Sequence, residues 1–97
     1  MTQQSAGDDY YATNMVGLVT EIARALVDSP ESVSVEAIAE GDGTVLRLRV
    51  APSDIGKVIG KQGRTARSLR TILAAASMKL KHRFALDIVE QEGSPQT

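Results

Sequence analysis

Two glycines three positions apart, Gly60 and Gly63, enclose Lys61 and Gln62 in the middle of the chain. Glycine reaches backbone angles that other residues avoid, and its missing side chain lets a ligand approach the backbone closely. The helix predicted to begin near Gly63 starts with N–H groups that have no intrahelical acceptor, and such groups form a natural anion site. Because Lys61 adds a mobile cation, this set of residues is suited to holding a sugar-phosphate backbone.

The charge distribution also indicates an anionic partner. The net charge is −1, but residues 1–44 contain one cation and eight acids, residues 45–83 contain ten cations and one acid, and residues 84–97 contain three acids. A solvated helix face is the alternative interpretation, although such faces usually interleave both signs of charge. A basic centre in an otherwise acidic chain indicates a localised positive field.

Arginines continue the positive charge beyond the loop. Arg64, Arg67 and Arg70 recur every three residues on the predicted helix, so they can follow a phosphate backbone. Arg70 and later residues move away from the loop at about 1.5 Å per residue, and they are therefore left out of the predicted site. Arg47 and Arg49 belong to the same basic segment, but the sequence does not decide which way they point relative to the loop.

The elements before the loop are a helix and two strands. Thr13 or Asn14 caps the helix, and its apolar face has helical spacing. This face consists of Met15, Leu18, Val19, Ile22 and Leu26. Residues 33–40 and 44–50 alternate in polarity, which is typical of strands, and the glycines in residues 41–43 predict a hairpin between them.

The elements after this hairpin are two helices and a third strand. Ser53 or Asp54 begins a short helix, and Gly60 ends it. Its apolar face consists of Ile55, Val58 and Ile59. The long helix that follows carries its apolar face on Ala66, Leu69, Leu73, Ala76 and Leu80, with Ile72 beside them. Residues 84–89 alternate again and predict the last strand.

The predicted fold class is therefore α+β, with the order α-β-β-α-α-β. The three strands form one sheet, and the three helices pack on one face of it. Ninety-seven residues suit a single domain. We place that domain at residues 13–90, between flexible tails at residues 1–12 and 91–97.

The loop and the element order together resemble the bacterial (type II) KH domain. The residues that carry the resemblance are 50–64, V-A-P-S-D-I-G-K-V-I-G-K-Q-G-R, which contain a complete I-G-x-x-I-G-x-x-G core. In KH domains the GXXG loop joins two helices and clamps four nucleotides of a single strand. With its short length, the chain is similar to the small free-standing RNA-binding KhpA family.

The resemblance implies a function and a set of partners. It implies a cytoplasmic, non-enzymatic protein that binds single-stranded RNA as an RNA chaperone or post-transcriptional regulator, with a link to cell-envelope growth, cell shape and division. It also implies a homodimer, or a heterodimer with a larger KhpB-type KH protein.

The resemblance also assigns roles within the motif. Residues 60–63 would contact phosphates, Ile55, Gly56 and Ile59 would border the nucleotide groove, and Arg64 would extend its charged rim. The complete predicted RNA-binding set is Ile55, Gly56, Lys57, Ile59, Gly60, Lys61, Gln62, Gly63, Arg64 and Arg67.

Composition limits the other classes of function. The chain has no cysteine, so disulfides and thiolate metal sites are excluded. No apolar run approaches the ~18 residues of a membrane span, and no cofactor, catalytic set or metal set is expected. One Phe and two Tyr are too few for the aromatic platforms of RRM and OB domains.

A protein-interaction module is the second hypothesis. In that case exposed residues of the short helix, such as Val58 or Ile59, or residues of the long helix would mediate dimerisation. The two hypotheses are compatible, and they would compete if a dimer covered the loop.

Overall fold

The computed structural model describes the backbone of residues 3–91 and the side chains of residues 11–91. The helices are α1 (Gln3–Leu26), α2 (Ile55–Ile59) and α3 (Arg64–Leu80), and the strands are β1 (Ser34–Glu40), β2 (Gly43–Val50) and β3 (Arg83–Glu90). Short 3-10 turns occupy Pro30–Ser32, Pro52–Asp54 and Lys61–Gly63. The α+β class and the order α-β-β-α-α-β are confirmed.

Helix α1 begins at Gln3, ten residues before the predicted cap at Thr13, so the predicted start is wrong. The polar stretch before Thr13 contains no proline, and polarity by itself predicts exposure rather than loss of helix. The division into tails and domain remains a prediction, and residues 92–97 of the C-terminal tail lie outside the described residues.

The apolar face of α1 is rotated from the predicted one. Among the described side chains of α1, Val19 and Ala23 are buried, while Leu18 and Leu26 are exposed. Met15, Val16 and Ile22 pack around the core. The small side chain of Ala23 lets the helix backbone approach the sheet, which periodicity of large apolar residues does not detect.

The sheet has the order β1-β2-β3. β1 and β2 are antiparallel, whereas β2 and β3 are parallel with Leu46 opposite Leu86. Leu46, Leu48 and Val50 of the central strand are fully buried, and burying each such side chain contributes about 1.5–3 kcal/mol. The core also contains Val19, Val58, Leu69, Leu73, Phe84 and Leu86.

Arg47 and Arg49 lie on the sheet face opposite to the helices, because they alternate with the buried residues of β2. The Nε of Arg47 is 3.1 Å from Asp87 Oδ2, and the Nη2 of Arg49 is 3.9 Å from Glu36 Oε1. Both arginines are thus paired with acids on neighbouring strands and do not extend the helix-side positive surface.

No helix in the described part of the chain combines the length and the apolar content needed to cross a bilayer.

Candidate nucleic-acid interface

The GXXG loop is a tight link between α2 and α3. Gly60 has φ 81° and ψ 168°, Gln62 has φ 57°, and Gly63 has φ 74°. The N–H of Gly63 donates to the carbonyl of Gly60 at 3.0 Å, and that of Arg64 donates to the carbonyl of Lys61. Three positive φ values within four residues explain why two glycines are needed here.

Gly60 is required for a second reason, the proximity of Thr65 in the first turn of α3. A Cβ at position 60 would lie 2.7 Å from the Cβ of Thr65 and 2.8 Å from its backbone nitrogen. Real Cβ contacts are not this short. With any residue other than glycine at position 60, α3 could not begin where it does. Gly63, in contrast, has open space at the corresponding position.

The loop presents positive charge and unused hydrogen-bond donors to solvent. The side chains of Lys61, Gln62, Arg64 and Arg67 are exposed. No carboxylate in residues 11–91 forms an ion pair with the three cations among them, Lys61, Arg64 and Arg67. The Nη2 of Arg64 donates to Gln62 Oε1 at 3.0 Å. The N–H groups of Lys61 and Gln62 have no acceptor in the described part of the chain. These groups are available to a phosphate.

Helix α2 presents an open face beside the loop. Val58 is fully buried in the core, which corrects the idea that it is exposed for dimerisation, whereas Ile55 and Ile59 are half-buried. Gly56 is exposed, and nothing lies within 4 Å of the position that a Cβ would take there. The half-buried isoleucines and the bare Gly56 form an aliphatic ledge that a base could approach.

Lys57, also in the predicted RNA-binding set, faces two acids. Its Nζ lies 3.4 Å from Asp28 Oδ2 and 3.4 Å from Asp54 Oδ1. The hydrogen bond to the Asp28 carboxylate raises the pKa of Lys57 above its ordinary value, and Asp54 acts in the same direction.

Asp54 is buried, with 1% of its surface exposed. Although it occupies the N-cap position of α2, its side chain makes no capping bond. It instead accepts the N–H groups of Asp28 at 3.2 Å and Ser29 at 3.0 Å. Burial by itself raises the pKa of Asp54, but these two N–H donors and Lys57 outweigh burial, and the pKa lies below its ordinary value.

Sequence reasoning missed this cluster for a physical reason. The spacing of Asp54 and Lys57 by three residues was a usable signal for their pairing. Asp28 is 26 residues from Asp54, and only the tertiary fold brings the end of α1 to the start of α2.

Arg70 also has a role that the sequence did not indicate. Its Nη2 donates to the carbonyl of Leu86 on β3 at 3.2 Å. The guanidinium is therefore bound to the backbone of β3, which is consistent with leaving Arg70 out of the predicted RNA-binding set. The loop cations are therefore Lys61, Arg64 and Arg67.

Known proteins are similar to this chain over a region that includes the GXXG loop. A family model described as "KhpA/KhpB, KH domain" matches residues 17–88. RNA-binding protein KhpA of Halalkalibacterium halodurans is 50% identical over 76 residues, which are 78% of this chain and 100% of that protein. RNA-binding protein KhpA of Treponema pallidum is 51% identical over 74 residues, which are 75% of this chain and 91% of that protein.

The fold also resembles part of a larger solved structure. The chain matches a crystal structure of Aquifex aeolicus Era bound to GDP and AlF4− with a TM-score of 0.53 and 19% identity. The match covers 78% of this chain and 29% of the Era chain, and at this identity it supports the fold alone. Because the family model covers most of the chain and these KhpA proteins share about half of the aligned residues with it, the chain belongs to the KhpA/KhpB KH-domain family.

Proposed function

We propose that this chain is a non-enzymatic, cytoplasmic protein that binds single-stranded RNA through its GXXG loop. The observation that carries the proposal is the set of loop cations, exposed and without acid partners in the described residues, next to the unused N–H groups of Lys61 and Gln62. The similar proteins named RNA-binding protein KhpA support the same conclusion.

The proposed contacts divide into two groups. Phosphates lie against the loop, where backbone N–H groups and the loop cations bind them. Bases lie on the aliphatic ledge of Ile55 and Ile59, and Gly56 lets the strand come close to α2. The site spans about four nucleotides, as in other KH domains. Backbone contacts hold the strand without carrying sequence information, so we expect little base preference from the loop itself.

The test is a fluorescence anisotropy titration of labelled single-stranded RNA at several salt concentrations. Each neutralised phosphate on a single strand contributes a slope of about −0.7 to log affinity against log salt, so three loop cations predict a slope of about −2. A duplex of the same sequence should bind more weakly, because its bases cannot reach the ledge. A slope near zero, or equal affinity for the duplex, would contradict the proposal.

The resemblance to the family also suggests a cellular role. We propose that the protein acts as an RNA chaperone or post-transcriptional regulator whose targets influence cell-envelope growth, cell shape and division. Crosslinking of RNA to the protein in its native cell, followed by sequencing, identifies those targets.

Self-association is the second candidate function, and the outer face of α3 favours it. Ile72 is 46% exposed and Met78 is 79% exposed, while Ala74 and Ala75 between them are also exposed. Two copies could pack this face together around a two-fold axis, since the two alanines allow close approach of the helices. The face begins beyond Arg67, so a dimer formed this way would leave the loop open.

Sedimentation equilibrium tests this dimer. The wild type should show a mass that rises with concentration. Ile72→Glu with Met78→Glu should give a monomer at all concentrations, because a dimer would then bury two carboxylates from each copy. A concentration-independent monomeric wild type would exclude the homodimer. The same variant, mixed with a KhpB-type KH protein, tests the heterodimer through the same face.

A further inference from the structure

The cationic residues of the motif are not equivalent. Lys57 and Lys61 are four residues apart in sequence, and both are predicted to contact RNA. Lys61 is exposed and pairs with no carboxylate in the described residues. Lys57 lies 3.4 Å from each of two carboxylates, those of Asp28 and Asp54. A phosphate approaching Lys57 therefore meets two negative charges and one positive charge.

The two carboxylates near Lys57 differ in what they do for the fold. Asp54 is 1% exposed and accepts backbone N–H groups from the segment after α1, so it fixes the junction between α1 and α2. The side chain of Asp28 is 81% exposed. Its N–H donates to Asp54, whereas its carboxylate contacts the cluster only through Lys57. The Asp28 carboxylate is therefore a surface charge whose effect falls mainly on what approaches Lys57.

The position of this cluster relative to the loop gives it a consequence for binding. Gly56 is bare and exposed, and it immediately precedes Lys57 on α2. A strand that lies over Gly56 passes the helix position next to Lys57, whose Nζ lies 3.4 Å from Asp28 Oδ2. Like charges at about 4 Å repel by about 1 kcal/mol even in bulk water and by more near a protein surface, so phosphates should avoid this end of α2.

We infer that the Asp28–Lys57–Asp54 cluster is an acidic border at one end of the RNA site, in which Asp28 limits affinity and Lys57 is a positioning residue rather than a phosphate contact. This inference rests on the proposed function. Lys57 holds the buried Asp54 and the exposed Asp28 together, and phosphates are directed to the loop cations. The predicted direct contact of Lys57 with RNA is the competing assignment.

The first test compares Lys57→Gln with Lys61→Gln in the salt titration with labelled single-stranded RNA. The two variants make the same chemical change four residues apart. Lys61→Gln should lower affinity roughly tenfold, as expected for one charge-assisted hydrogen bond, and reduce the salt slope by about 0.7. Lys57→Gln should leave the slope unchanged and lower the melting temperature, because Asp54 loses its counter-ion. A slope change in Lys57→Gln equal to that in Lys61→Gln would overturn the inference.

The second test removes the charge of Asp28. Asp28→Asn should raise affinity for RNA roughly two- to fivefold at low salt, and the gain should vanish near 1 M salt, where the Debye length is about 3 Å. Glu40→Gln is the matched control, since it removes an exposed acid at the hairpin, the opposite end of β2 from the loop. Equal gains in the two variants would refute a specific role for Asp28.

The tests also separate this inference from the proposed function. If the wild type binds single-stranded RNA and Lys57 behaves like Lys61, the proposed function stands and the border does not exist. If the wild type does not bind, both fall.

Discussion

A chain carrying Lys61→Asp and Gln62→Asp is expected to lose at least about 100-fold in affinity for single-stranded RNA, or about 2.8 kcal/mol. The change removes one loop cation and adds two carboxylates where phosphates are proposed to lie. Each carboxylate about 4 Å from a phosphate repels it by about 1 kcal/mol in water and about 4 kcal/mol at an effective dielectric constant of 20. An Asp at position 62 could also take over the contact with Arg64 and thereby draw a second loop cation away from RNA.

The fold should survive this double substitution. Both side chains are exposed, and Gln62 has a left-handed backbone conformation with φ 57°, which Asp tolerates better than most residues. Circular dichroism and a thermal melt should therefore match the wild type, while the anisotropy titration shows the loss of binding.

The matched control for the double Asp variant lies at the other end of α3. Lys81→Asp with Lys79→Gln gives the same change in net charge, and Lys81 also has φ 57°. These residues are about 25 Å from the loop along the helix at 1.5 Å per residue. The control should keep most of its affinity. Equal losses in both double variants would mean that only the overall charge matters, and unchanged binding in the loop variant would remove the loop from the site.

Local patterns in the sequence were sufficient to predict the order of the helices and strands and the position of the loop. Alternation located the strands because Leu46, Leu48 and Val50 are buried on one face of β2. The two glycines located the loop because positive φ values, such as those of Gly60 and Gly63, favour glycine. Such features depend on a few consecutive residues, and a sequence displays them directly.

The features that escaped prediction depend on residues far apart in the chain. The acid partner of Arg47 became clear only once β3 was placed beside β2, with Asp87 opposite it. The acids around Lys57 come from two elements that meet only in the folded chain. A cation in a motif is therefore a candidate contact, and its partners in the fold determine whether it is free to bind a ligand.

The three glycines of the motif, Gly56, Gly60 and Gly63, should respond differently to substitution by alanine. Gly60→Ala should lower the free energy of unfolding by about 2–4 kcal/mol, since φ 81° with ψ 168° strains any other residue and the new Cβ would overlap Thr65. For a chain of this size that corresponds to a fall in melting temperature of roughly 10–25 °C. Thermal denaturation followed by circular dichroism measures it.

Alanine at the other two glycines tests the remaining effects one at a time. Gly63→Ala tests backbone strain without crowding, and Gly56→Ala tests contact with RNA. Gly63→Ala should cost about 1–2 kcal/mol, because φ 74° is left-handed but the space around a Cβ is open. Gly56→Ala should leave stability unchanged or raise it by up to about 1 kcal/mol, since this residue is helical and unobstructed, yet its methyl group should weaken RNA binding on the ledge. A loss of stability in Gly56→Ala equal to that in Gly60→Ala would show that the loop geometry described above is wrong. A stable Gly56→Ala variant with weakened binding would instead show that this position is kept bare for the ligand and not for the fold.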